Sequence, residues 1–282
     1  MNPVTYSESK ENMKSIATFS SVLALSLLLT ACGGIEQTTL SAGPLMYGQL
    51  AQFTVEGPNL DKGMTLTAAG CIGIAEVTAS ATASTKVYTC TPTATGAMVV
   101  TASGGGVTLR SMTVDIPVPQ VSLKTSMGDI VLELDPGKAP ISAFNFIRYV
   151  NSGFYTDIIF HRVLPNVIIQ AGGFTTGPAA KAPTYAAIAL ESNNGLTNLR
   201  GTLAMARSAA DASGTSQFYI NVADNPGFDY VSATQPGYPV FGKVATGLSV
   251  VDAIGAVPTG IVGTMNDVPL TDVVILSATQ TR

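Results

Sequence analysis

The sequence has no tryptophan, one histidine, three cysteines and only 11% charged residues over 282 positions. The scarcity of His and Cys, and the charge balance, each remove a class of function. With Cys32 assigned to lipid, as read below, one His and two Cys supply too few soft ligands for a dedicated zinc site. A net charge of −4 without a basic tract argues against nucleic acid as a partner. The lone His161 has bulky apolar neighbours and no Asp or Cys partner placed beside it, so it reads as a structural, hydrogen-bonded histidine. What is abundant points elsewhere. Apolar residues make up 46%, with 28 Gly and 16 Pro, the composition of a turn-rich, mainly β chain of one large or two modest domains.

At the N-terminus, Lys10 and Lys14 precede an uncharged apolar run over residues 15–31, a charged region followed by a hydrophobic one. The run ends Leu29-Thr30-Ala31-Cys32-Gly33, which resembles the lipobox of bacterial lipoproteins. On that reading residues 1–31 are a signal peptide and Cys32 becomes the lipidated first residue. The protein then meets the membrane through N-terminal lipid only. A short transmembrane helix, or an ordinary signal peptide with an incidental Cys, is the competing reading; the run falls short of the ~20 residues a span needs. Gly33, which is not Asp, by the same resemblance suggests the outer membrane, with the chain on the periplasmic side of the cell envelope.

Residues 32–44 read as a tether, 45–116 as a small β domain and 117–120, with two prolines, as a stiff linker. Tyr47, Ala51, Phe53 and Val55 alternate onto one face, and 64–67, 86–89, 97–101 and 107–116 are further strand candidates. Short strands at this spacing suggest an immunoglobulin-like sandwich. Cys71 and Cys90 remain once Cys32 is assigned, and in an exported chain two remaining cysteines pair. Such a bond would stabilise the domain by ~3 kcal/mol; two buried free thiols are the alternative. The spacing is too short for the inter-sheet bridge of immunoglobulins.

In residues 160–173, Arg162 and Gln170 interrupt an apolar, β-prone run. Even spacing puts them on one face of an extended chain with Ile168, although Leu164-Pro165-Asn166 turns the chain between them. A fixed cation, a neutral amide and an apolar floor suit a polar backbone beside an apolar ring. They do not suit proton transfer, because arginine keeps its proton and glutamine has none to exchange.

Several blocks then occur in a recognisable order: Phe-His-Arg-Val-Leu-Pro at 160–165, Gln-Ala-Gly-Gly-Phe at 170–174, Arg-Gly-Thr-Leu-Ala-Met-Ala at 200–206, Thr-Ser-Gln-Phe-Tyr-Ile-Asn at 215–221 and Val-Phe-Gly-Lys-Val at 240–244. Together they resemble the cyclophilins, peptidyl-prolyl cis–trans isomerases, over about 121–282. The run at 218–225 is similar to the bacterial exported branch. The resemblance implies a closed antiparallel β-barrel capped by two helices, preceded here by the sandwich. It implies a monomeric isomerase of proline-containing polypeptide clients that needs no cofactor. It further implies that Arg162 donates to the prolyl nitrogen from a dry recess and that Gln170 holds the client backbone. Val167, Ile168, Met205, Tyr219 and Phe228 would line the proline pocket. Ala206 and Arg207 would pair with the client backbone beside Gln217, and Tyr238 falls where many members carry His. Val167 replaces the usual Phe and Gly227 the Trp of eukaryotic members, which implies weak cyclosporin sensitivity. A non-catalytic peptide-binding or holdase module on the same barrel is the alternative that Val167 favours.

Overall fold

The computed structural model describes residues 37–61 and 63–282. The signal-peptide and Cys32 assignments lie outside the described residues, of which no helix is long and apolar enough to cross a membrane. Two β structures follow one another along the described chain.

The first comprises β1 (Thr39–Ala42), β2 (Ala51–Glu56), β3 (Met64–Ala68), β4 (Cys71–Glu76), β5 (Thr85–Pro92), β6 (Gly96–Gly104) and β7 (Val107–Ile116). One sheet has the order β1-β2-β5-β4 and the other β3-β6-β7. That is the strand order of a seven-stranded immunoglobulin domain of constant type. Period-two alternation makes the core: Ala51, Phe53 and Val55 of β2 face Met98, Val100 and Ala102 of β6, all buried. Cys71 and Cys90 form a disulfide with Cα atoms 5.8 Å apart. It joins neighbouring strands β4 and β5 within one sheet, not the two sheets.

Two boundaries differ from expectation. The end of the expected tether is strand β1, paired with β2 from Thr39 to Ala42. Tyr47 does not belong to β2; it lies in the turn before it. A four-residue edge strand is too short to show a period, and Tyr47 kept the right parity by coincidence.

The second structure comprises β8 (Gln120–Thr125), β9 (Gly128–Leu134), α1 (Pro140–Asn151), β10 (Ile158–Leu164), β11 (Ile168–Thr175), β12 (Ala179–Ala180), β13 (Thr202–Met205), β14 (Phe218–Asn221), β15 (Val240–Thr246), α2 (Leu248–Gly255), β16 (Thr259–Val262), β17 (Met265–Pro269) and β18 (Val274–Gln280). The order β10-β18-β8-β9-β15-β13-β14-β11 is closed by the β10–β11 pairing, giving an eight-stranded antiparallel barrel with β12 added outside β11. Closure leaves no open edge. Leu123, Ile130, Val163, Ile169, Leu203, Ile220 and Ile275 fill the interior. Helix α1 packs on β15 and β18, and α2 on β9, β10 and β11. Phe146 of α1 is fully buried among Tyr155, Phe218 and Phe241, ring centroids 5.2–5.4 Å away. Burying one such ring contributes ~1.5–3 kcal/mol. Pro140 opens α1, and the Glu191 carboxylate accepts hydrogen bonds from the free N–H groups of Ile141 and Ser142.

The sandwich and barrel share an interface. Tyr47 is fully buried, its ring edge-on to Phe144 and its hydroxyl donating to the Pro140 carbonyl at 3.3 Å. Gln280 of β18 donates to the Tyr47 carbonyl at 2.9 Å and accepts from Gln49 and Asn151, each at 3.0 Å.

Candidate functional site

The site grows from a bulge. Phe160 pairs with Ala171 but Arg162 pairs with Gln170, so β10 carries one extra residue, His161. An extra residue resets the inside–outside alternation. Phe160 and Val163 both face the interior, and Arg162, between them, faces out. The chain then turns at Pro165 and Asn166, whose φ of 58° suits the second corner of a type II turn. The Val167 N–H closes that turn on the Leu164 carbonyl at 3.0 Å.

Arg162 is therefore the direct cross-strand partner of Gln170. The row continues through Tyr219, Ala204 and Val240 on three further strands. Residues directly opposite share a face, so this row lies on the outside of the barrel, and Ile169, Ile220 and Leu203 lie within it. Ile168, Ala204, Tyr219 and Val240 form a second apolar cluster, separate from the interior, with Val167, Ala206, Phe228 and Tyr238 packed around it. The rings of Tyr219, Phe228 and Tyr238 meet edge to face, with centroids 5.4–5.9 Å apart.

Polar groups border this recess. Gln170 Nε2 donates to Gln217 Oε1 at 2.8 Å. The Ala206 N–H donates to the Gln217 carbonyl at 3.0 Å, fastening the next loop to the site. The Arg207 guanidinium donates to the Gly237 carbonyl at 2.8 Å and stands 5.1 Å from the Tyr238 ring centre. The Arg162 side chain is 45% exposed, so the expected dry recess does not exist in the free protein. Arg207 on the same outer face is only 11% exposed because it packs over Tyr238, whereas among the described residues no ring lies over Arg162.

The structure thus brings together Arg162, Gln170, Val167, Ile168, Ala206, Arg207, Gln217, Tyr219, Phe228 and Tyr238. Met205 is the exception: it is 1% exposed and belongs to the interior cluster, because β13 alternates and Ala204 holds the outward position. His161 is buried with its ring 4.6 Å from Phe174; the Ile159 backbone and the Gln217 side chain are its polar neighbours, and Nδ1 itself lies outside hydrogen-bonding geometry among the described residues. Burial, the main cause, pushes its imidazole down to about 4, so it is neutral near pH 7. A side chain at Gly227 would meet open space, so the missing ring leaves that part of the rim bare.

Sequence reasoning missed the support beneath Tyr219. Its hydroxyl donates to Asn198 Oδ1 at 2.7 Å. Asn198, 1% exposed, in turn donates Nδ2 to Asp229 at 3.0 Å, and Asn221 donates to Asn198 Oδ1 at 3.2 Å. The hydroxyl that distinguishes Tyr219 from Phe thereby has a buried partner, and burial raises its pKa. No spacing rule marks Asn198; only its burial does.

An outward cation and amide beside an aromatic-lined recess define a binding site for a peptide with one apolar ring, on a closed barrel with two helices. The sequence matches the family model described as "Cyclophilin type peptidyl-prolyl cis-trans isomerase/CLD" over residues 120–280. A peptidyl-prolyl cis-trans isomerase of Acinetobacter baylyi is 54% identical over 157 residues, 56% of this chain and 82% of that protein. Peptidyl-prolyl cis-trans isomerase B of Escherichia coli is 48% identical over 161 residues, 56% of this chain and 98% of that protein. A crystal structure of a cyclophilin-type isomerase of Cryptosporidium parvum matches with TM-score 0.50 at 24% identity, covering 58% of this chain and 98% of that one, a likeness of fold. The chain belongs to the cyclophilin-type peptidyl-prolyl cis–trans isomerase family, and its enzyme class is that of the family.

Proposed function

We propose that this enzyme isomerises X–Pro bonds in exported polypeptides, held at the periplasmic face by lipid on Cys32, with Arg162 as the catalytic donor. The observation that supports the Arg162 role is its position directly across from Gln170 at the edge of the outer apolar cluster.

Amide resonance opposes rotation with a barrier of ~18–20 kcal/mol, and uncatalysed X–Pro exchange takes roughly tens to hundreds of seconds. No covalent bond needs to break. As the bond twists, the prolyl nitrogen lone pair leaves resonance and becomes an acceptor. A guanidinium N–H placed there is bound more strongly in the transition state than in the ground state, the condition for raising rate. Such a charged hydrogen bond contributes ~1.5–3 kcal/mol net, roughly ten- to a hundredfold in rate. Gln170, held by Gln217, anchors the client backbone while the ring sits on Ile168, Tyr219 and Phe228. Because Arg162 is half-exposed, the client itself must exclude the water that would compete for the donor.

The second reading, a holdase, is favoured by Val167. Replacing an aromatic wall by Val removes on the order of 50–100 Å² of contact, ~1–2.5 kcal/mol at ~25 cal/mol/Å². A proline-peptide exchange assay on the purified chain separates the two. Acceleration above buffer supports the isomerase; binding without acceleration leaves the holdase. Globomycin-sensitive processing with incorporation of labelled fatty acid supports the anchor, and a soluble, unmodified mature chain removes it.

A further inference from the structure

The hairpin β16–β17 lies outside the barrel and packs on β10. Gly260 pairs with Val268 and Val262 with Met265, so β17 has an extra residue and the hairpin is bulged. Asp267 sits in that bulge with φ 60°, a left-handed conformation that Asp tolerates better than most residues. Bulges re-aim side chains. The Asp267 carboxylate lies 3.9 Å from Nε of Arg162, and among the described residues it is the only carboxylate paired with that guanidinium. His161, Arg162, Met265, Asn266 and Asp267 line a cleft of about 230 Å³.

Stability does not explain this arrangement. Both side chains are about two-fifths exposed, 45% and 39%, and exposed ion pairs contribute little to folding. Yet two independent irregularities converge: one bulge turns Arg162 out of the barrel, and a second presents a carboxylate to it. The paired nitrogen is Nε, the inner one of the guanidinium, which leaves the terminal nitrogens for a client. A long side chain half in water otherwise samples many rotamers, and catalysis needs its N–H held toward the client.

We propose that Asp267 is a positioning residue: from the β16–β17 hairpin its carboxylate holds the Arg162 guanidinium in the rotamer that meets the client. The activity arm of this inference rests on the isomerase reading above. The full chain is compared with Asp267→Asn, Asp267→Glu, Arg162→Lys and the Asp267→Asn/Arg162→Lys double variant. Asp267→Asn is expected to lower kcat by roughly two- to fivefold with KM little changed, and Asp267→Glu to recover most of the loss. On the Arg162→Lys background the same Asn change is expected to cost nothing further. Separately, the Arg162 Nε–Hε resonance in ¹⁵N spectra, assigned by its absence in Arg162→Lys, is expected to move in Asp267→Asn while the barrel amides stay in place. An unmoved Nε resonance, or an equal activity loss with and without Arg162, overturns the inference. A wild-type chain without isomerase activity would defeat the functional reading alone, since the resonance decides the pairing by itself.

Discussion

The Gln217 carboxamide occupies the space where a side chain at Gly173 would begin: a Cβ there would lie 2.6 Å from Gln217 Nε2. The bare backbone of β11 thus forms the seat of the amide that holds Gln170. Gly173→Ala is expected to displace Gln217 and release Gln170. Loss of one such hydrogen bond predicts roughly a two- to tenfold fall in kcat/KM. An unchanged kcat/KM in a folded variant would show that Gln170 needs no such support.

Arg162→Ala is expected to lower kcat/KM roughly ten- to a hundredfold. Its side chain is half-exposed and packs in neither core, so the thermal midpoint should stay within a degree or two of the parent. Retained turnover would remove Arg162 from the mechanism. Between pH 6 and 9 the rate should be flat, because neither a guanidinium nor a carboxamide exchanges protons there.

Stability, unlike rate, should respond to acid through His161. Its folded-state pKa, about 4, lies below the unfolded value of about 6.5. Between those values the unfolded chain binds a proton that the folded chain refuses, so stability falls as pH drops from about 6.5 toward 4 and does not change on this account above 6.5. The full effect is on the order of 3 kcal/mol. As the only histidine in the chain, His161 gives one imidazole titration to follow by NMR. A midpoint near 6.5 in the folded protein would contradict the burial argument, and His161→Phe should flatten the slope.

The Cys71–Cys90 bond joins residues 19 positions apart, for which ~3 kcal/mol of stabilisation is expected. The paired change Cys71→Ala/Cys90→Ala should lower the unfolding free energy by about that amount. Both cysteines lie in the sandwich, away from the outer cluster, so isomerase turnover at 25 °C should persist. A parent chain whose unfolding is insensitive to reductant would speak against the bond.

The barrel and the sandwich were legible wherever strands alternate over five or more residues, as in β2, β6, β8 and β9. β1 and the exposed β4, which buries none of its residues, gave no such pattern. The joint position of Arg162 and Gln170 was legible only by parity, and the parity survived the turn because Arg162, Val163 and Leu164 pair in unbroken register with Gln170, Ile169 and Ile168; the His161 bulge decides only which face they share. Met205 was misplaced because a motif match does not reveal which way a side chain points. Asp267 and Asn198 escaped because their roles depend on contacts with residues 105 and 31 positions away in the sequence, Arg162 and Asp229 respectively.

The buried Tyr47 and its bonds to Pro140 and Gln280 tie the two β structures together at a point away from the linker. The linker's two prolines are thus not the only tie that aims the catalytic mouth; a phenol wedged beside a helix is another. Loosening that wedge, and not only lengthening the linker, is the change that would let the mouth swing.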